Sequence, residues 1–121
     1  MSDSIESLMK HNLYAIFGER DKEKRWQTIT KLWADDGIFI DPDGVRVGHV
    51  ALNEAIEQIL QKIPGFVFTE LGTFDEIPGA GRLAWGFGPP GHRPAVTGLD
   101  VIVVADGLIK TLYTFINTIR A

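Results

Sequence analysis

Val96-Thr97-Gly98-Leu99-Asp100-Val101-Ile102-Val103-Val104-Ala105-Asp106-Gly107-Leu108-Ile109-Lys110 reads as two β-strands joined by a two-residue turn. Asp-Gly between two apolar, β-branched runs is a strong hairpin signal. Working outward, the pattern from Phe66 onward is strand throughout: Phe66 to Phe74, Arg82 to Phe87, Val96 to Ala105 and Leu108 to Ile119. Pro78-Gly79-Ala80-Gly81 and Pro89-Pro90-Gly91 supply the remaining breaks. The second half is therefore an antiparallel sheet.

The first half reads differently. Ile5, Leu8, Met9, Leu13, Ile16 and Phe17 recur at helical spacing, and Asp3 with Glu6 predicts a capping box at the start of a helix of about four turns. After Gly18 the charged stretch Glu19 to Arg25 reads as a polar turn, and Trp26, Ile29, Leu32 and Trp33 resume a helical period. Leu52, Ala55, Ile56, Ile59, Leu60 and Ile63 form a third stripe, stopped by Pro64-Gly65. A short strand, Ile38 to Asp41, turns through Pro42-Asp43-Gly44 into Val45-Arg46-Val47. Three N-terminal helices and a later, mostly antiparallel sheet define an α+β class, and 121 residues fit a single domain, 1–121.

Strand parity singles out two acids. Asp100 shares a face with Val96, Gly98, Ile102 and Val104, while Leu99, Val101 and Val103 line the other; one face then lines an interior and the other meets a helix or a second subunit. Burial among such neighbours raises a carboxyl pKa and makes the neutral acid a hydrogen-bond donor. Asp41 shares a face with Phe39, although Asp-Pro-Asp-Gly is also turn vocabulary and Asp41 can equally serve by accepting backbone N–H groups. Trp85 alternates with Leu83 and Phe87 on one core-facing side, and the hydroxyl of Tyr14, off the main stripe of the first helix, needs a partner if buried.

Composition excludes other classes. A net charge of −4 and no Lys/Arg stripe argue against nucleic acid, and no apolar run is long enough to span a membrane. With no cysteine, thiolate chemistry and Cys-based zinc sites are ruled out; His11, His49 and His92 form no ligand pair, so no metal and no cofactor are expected. His49, after Gly48, suits an exposed helix start, and His92 a hairpin tip. The acidic N-terminus lacks the order of a signal peptide, which makes the cytoplasm the expected location.

The run Leu32-Trp33-Ala34-Asp35-Asp36-Gly37-Ile38-Phe39-Ile40-Asp41-Pro42-Asp43-Gly44, then Gly48-His49, and later Thr97-Gly98-Leu99-Asp100-Val101-Ile102 with Asp106-Gly107-Leu108-Ile109-Lys110, resembles SnoaL-like proteins of the NTF2-like superfamily over nearly the whole chain. The resemblance implies a cone-shaped α+β fold in which helices and a curved sheet enclose a pocket, often in a homodimer. Ketosteroid isomerase, in the same superfamily, is the nearest mechanistic comparison: its base matches Asp41 and its protonated oxyanion-hole acid matches Asp100. Its first-helix tyrosine is matched by Tyr14 if the Glu19 to Arg25 loop carries a three-residue insertion, whereas the ungapped count lands on Phe17.

The expectation is a pocket protein for a small, largely apolar, carbonyl-bearing molecule, with Asp41 as base, Asp100 as neutral donor, Tyr14 as second donor and Phe17, Phe39, Trp85 and Phe115 as apolar walls. A non-catalytic ligand-binding or dimerisation module is the alternative, and it expects Asp100 inside a structural network. Epoxide hydrolysis would need Arg82 to point into the pocket, which its place at a strand start after Gly81 opposes.

Overall fold

Ser4 opens the first helix by accepting a hydrogen bond from the Ser7 N–H at 3.1 Å. The computed structural model describes residues 4–117, so the expected cap Asp3 and the expected strand end at Ile119 lie outside the described residues. Helix α1 (Ile5–His11) continues as a π-helical turn over Asn12–Phe17, closed by Gly18 N–H reaching Leu13 O at 2.9 Å. Leu8, Met9, Leu13, Ile16 and Phe17 are all buried by this segment. The buried Asn12 accepts from Trp33 Nε1 at 3.0 Å and so ties the helix to the first strand.

Helix α2 (Lys22–Leu32) starts inside the stretch expected to be a turn, because Asp21 caps it by accepting from the N–H groups of Glu23 and Lys24. Arg25, fully buried, is held by Asn53 Oδ1 at 2.5 Å, Glu19 O at 2.6 Å and Glu57 Oε1 at 2.6 Å, which locks α2 to helix α3 (His49–Lys62). Arg20 meets the frayed end of α3 by donating to Leu60 O, Ile63 O and Phe66 O.

Seven strands form one sheet: β1 (Trp33–Asp41), β2 (Gly44–Val47), β3 (Val67–Glu70), β4 (Asp75–Ile77), β5 (Ala80–Gly88), β6 (Val96–Ala105) and β7 (Leu108–Asn117). The order is β2-β1-β7-β6-β5-β3, with β4 also on the outer edge of β5; every pairing is antiparallel except β1 with β7. The sheet is curved, and the helices cover its inner face, α3 against β1 and β2 and α1 against β5. Two boundaries differ from expectation. The single strand expected over Phe66 to Phe74 is two short ones, and Pro78-Gly79 alone turns Ile77 back onto its partner Ala80. Trp33, expected to end a helix, begins β1.

One irregularity governs which side chains face inward. In the β6–β7 ladder Val104 pairs with Ile109 but Val103 pairs with Thr111, so Lys110 is an extra residue. The β1–β7 register breaks at the same place, between Trp33 and Ile38, and Lys110 Nζ meets Asp36 Oδ1 at 2.7 Å there. His49 Nε2 lies 3.0 Å from both Trp33 O and Ala34 O and satisfies carbonyls of this bulged stretch, a structural helix-start role. Beyond Lys110 the alternation is inverted: Ile109 and Leu112 are both fully buried.

Candidate functional site

A cavity of about 190 Å³ lies between the helices and the inner face of the sheet. Leu13 and Phe17 reach it from the π-helical turn, Ile59 and Ile63 from the end of α3, and Phe39, Phe68, Trp85, Phe87 and Val96 from the strands. Its polar lining consists of Asp41, Asp43, Asp100 and Thr114. The rings interlock: Phe17 meets Phe39 edge-on at 5.3 Å, Phe68 meets Trp85 at 5.5 Å, and Phe68 stacks on Phe87 at 4.3 Å.

Asp100 is 5% exposed and sits mid-strand on β6. Trp85 Nε1 and Thr114 Oγ1 both donate to its Oδ1, each at 2.8 Å, from the strands on either side. Thr114 is its direct partner across the β6–β7 ladder, and Trp85 lies flat over Gly98. A Cβ on Gly98 would collide with the Trp85 ring and stand 2.6 Å from Phe115 O, so only glycine lets the indole reach Asp100. Burial pushes the Asp100 carboxyl up to about 6, partly offset by the Thr114 and Trp85 hydrogen bonds, which favour the carboxylate.

Asp41 closes β1, its side chain 5% exposed. Its Oδ1 accepts from Asp43 N–H at 2.9 Å and from Arg46 Nη1 across the β1–β2 turn. Arg46 pairs in register with Phe39, so its guanidinium lies over that ring, 5.3 Å from the centroid. The two acids thus share one arrangement: two donors hold Oδ1, and among the described residues no donor reaches Oδ2. Each presents one unpartnered carboxyl oxygen to a ligand. Both Asp41 readings hold together, since the turn N–H bond and the place in the cavity wall belong to different oxygens.

Of the expected site residues, the cavity gathers Asp41, Asp100, Phe17, Phe39 and Trp85. Tyr14 is not among them: it is 45% exposed and donates to Glu70 Oε2 at 2.9 Å. The π-helical turn faces Leu13 and Phe17 inward, which leaves Tyr14 outside, so no second hydroxyl donor comes from this helix. Phe115 is also outside, 58% exposed, because the extra residue at Lys110 turns Thr114 and Ile116 inward in its stead. Arg82 points to solvent and pairs with Asp75. Thr114, Asp43 and Arg46 were not anticipated from the sequence.

Among the described residues no three His, Asp or Glu side chains converge to hold a metal, and no helix is long and apolar enough to cross a membrane.

The sequence profile of the SnoaL-like domain matches residues 12–112. A proposed isomerase of the SnoaL-like family from Agrobacterium tumefaciens is 26% identical and superposes with a TM-score of 0.87 over 94% of this chain and 97% of its own. Two more distant structures share the fold. A proposed ketosteroid isomerase from Kribbella flavida is 15% identical with a TM-score of 0.74, covering 99% of this chain and 82% of that one. A proposed polyketide cyclase from Sinorhizobium meliloti is 16% identical with a TM-score of 0.69, covering 89% and 93%. No curated protein matches the sequence.

Proposed function

The chain belongs to the SnoaL-like domain family, and on that premise we propose that its cavity binds a small, largely apolar, carbonyl-bearing molecule and transfers a proton on it without a cofactor. The observation that carries this reading is the pairing of Asp41 and Asp100 in one mainly apolar wall, each with an unpartnered Oδ2. Asp41 removes a proton from the carbon beside the carbonyl. Protonated Asp100 donates from Oδ2 to the oxygen on which enolate charge develops, while Trp85 and Thr114 fix Oδ1. Reprotonation at a second carbon completes an isomerisation. The donor form of Asp100 prevails below pH about 6, so turnover falls as pH rises through that value.

Size narrows the ligand. A cavity of about 190 Å³ is smaller than the ~300 Å³ at which sites for drug-sized molecules begin, and favours one small ring system. Cyclohex-3-enone is a fitting substrate, and its conversion to the conjugated cyclohex-2-enone is read by ultraviolet absorbance. Asp41→Asn is expected to lower turnover by about 10²-fold or more while binding of cyclohex-2-enone persists. Unchanged turnover in that variant removes Asp41 from the role.

A second reading, a non-catalytic ligand-binding module, is favoured by the network that ties Asp100 to Trp85 and Thr114. It predicts cyclohex-2-enone binding with no turnover in the parent protein. Both readings include a homodimer formed through the outer sheet face, where Val103, Tyr113 and Phe115 are exposed, which sedimentation of the intact chain tests.

A further inference from the structure

We propose that the cavity selects its ligands by charge, admitting small apolar amines as ammonium ions and rejecting anions of the same shape. The proposal rests on this cavity being a ligand site, as argued in the preceding section.

The wall contains no lysine, arginine or histidine, and the Thr114 hydroxyl spends its hydrogen on Asp100 Oδ1. An incoming carboxylate or phosphate would therefore find no donor, and would meet carboxyl oxygens instead. A cation finds the opposite. The two acids differ in how their charge is met: Asp41 is paired with Arg46, whereas Asp100 forms no ion pair among the described residues and is held by two neutral donors. Asp100 is the deeper acid, and its Oδ2 has no protein partner. Around it stand the faces and edges of five aromatic rings, Phe17, Phe39, Phe68, Trp85 and Phe87, whose quadrupoles attract a cation. An ammonium ion seated among these rings would supply the one charge partner that the fold leaves out.

The pH behaviour follows from the groups that face Asp100. From β1 and its turn these are Asp41 and Asp43, with Arg46 of β2 behind Asp41. The helices, β3 and β5 contribute only uncharged side chains to the wall. Asp100 therefore titrates as the single unpaired acid of the interior, near pH 6, whereas an alkylamine stays protonated up to about pH 10. The carboxylate form takes the ammonium ion and the protonated form takes a neutral carbonyl. Affinities for the two ligand classes should run in opposite directions with pH.

Three probes of one skeleton test this: 2-aminoindane, 2-indanone and indane-2-carboxylate, titrated calorimetrically into the intact chain at pH 5 and pH 8. At pH 8 the amine is expected to bind tightest, with an affinity about tenfold above its value at pH 5 from the change in Asp100 ionisation. The ketone should weaken over the same interval, and the carboxylate should not bind. Asp100→Asn should abolish the pH dependence of amine affinity; the parent protein's opposite slopes for amine and ketone stand as evidence even if that variant does not fold. Failure of the amine to bind at pH 8, or a carboxylate affinity equal to the amine's, overturns the proposal. Ketone binding without amine binding overturns it while leaving the proposed function standing, and loss of both overturns the two together.

Discussion

Trp85 Nε1 and Asp100 Oδ1 stand 2.8 Å apart across the β5–β6 pair, so the largest ring of the cavity wall also orients its most buried acid. The hydrogen bond favours the charged form of Asp100 against the desolvation that opposes it. Trp85→Phe keeps most of the wall and removes this donor. The Asp100 titration, followed by carboxyl carbon NMR, should move upward by about one pH unit, the scale of one charge-assisted hydrogen bond. An unmoved titration would show that the contact does not stabilise the carboxylate.

Gly98→Ala should act on the same pair from below. The new methyl group has no room between the indole and Phe115 O, so either the strand or Trp85 must shift. A loss of about 1–3 kcal/mol is expected in urea denaturation, accompanied by an altered Asp100 titration. Full stability with an unchanged titration would refute the close approach.

Asp100 also links stability to pH. Its folded-state pKa is about 6, above the ordinary value of 3.8, so the native state holds this proton more tightly than the unfolded chain. Its contribution is fully present below about pH 4 and is lost as pH rises through about 6, a change on the order of 3 kcal/mol. Asp100→Asn lacks this term. The stability difference, parent minus variant, should therefore grow as pH falls from about 6 to about 4, measured by urea unfolding at matched pH. A flat difference would contradict a raised pKa.

Arg25 carries a charge with no solvent access, met by Glu57 and two further acceptors. Removing one member of a buried pair strands the other, so Arg25→Ala should cost about 3–5 kcal/mol in chemical denaturation. Neither residue lines the cavity, and cyclohex-2-enone affinity of the folded variant should match the parent.

Tyr14→Phe should change little. Its hydroxyl is at the surface on Glu70, and loss of an exposed contact is worth under about 1 kcal/mol. A large fall in turnover with cyclohex-3-enone would return Tyr14 to the reaction.

The legible parts of this chain were those in which a single local rule applied. The alternation through Gly98, Asp100 and Ile102 identified the buried face of β6, and the structure buries those three residues. The Asp106-Gly107 turn was equally plain. Counting straight back from it pairs Asp100 with Tyr113, and the bulge at Lys110 makes the partner Thr114. Nothing in an isolated lysine announces a bulge, because its cause is the meeting of β7 with both β6 and the irregular start of β1. The same shift exposed Phe115. Tyr14 was misplaced for a comparable reason: a π-helical turn rotates the residues beyond Asn12, and its five-residue closure leaves the hydrophobic period nearly intact. Arg46 needed the β1–β2 register before its side could be known.

The extra residue at Lys110 gives this strand an unusual genetic property. Loss of that one codon would restore an even ladder and turn the distal half of β7 over, carrying Phe115 to the inside and Thr114 to the outside. Asp100 would exchange a hydroxyl neighbour for a phenyl or phenol ring without a single substitution. Descendants of one ancestral gene could thus acquire a differently lined chamber, and a differently coated exterior, through a three-nucleotide deletion that leaves every other side chain chemically unaltered.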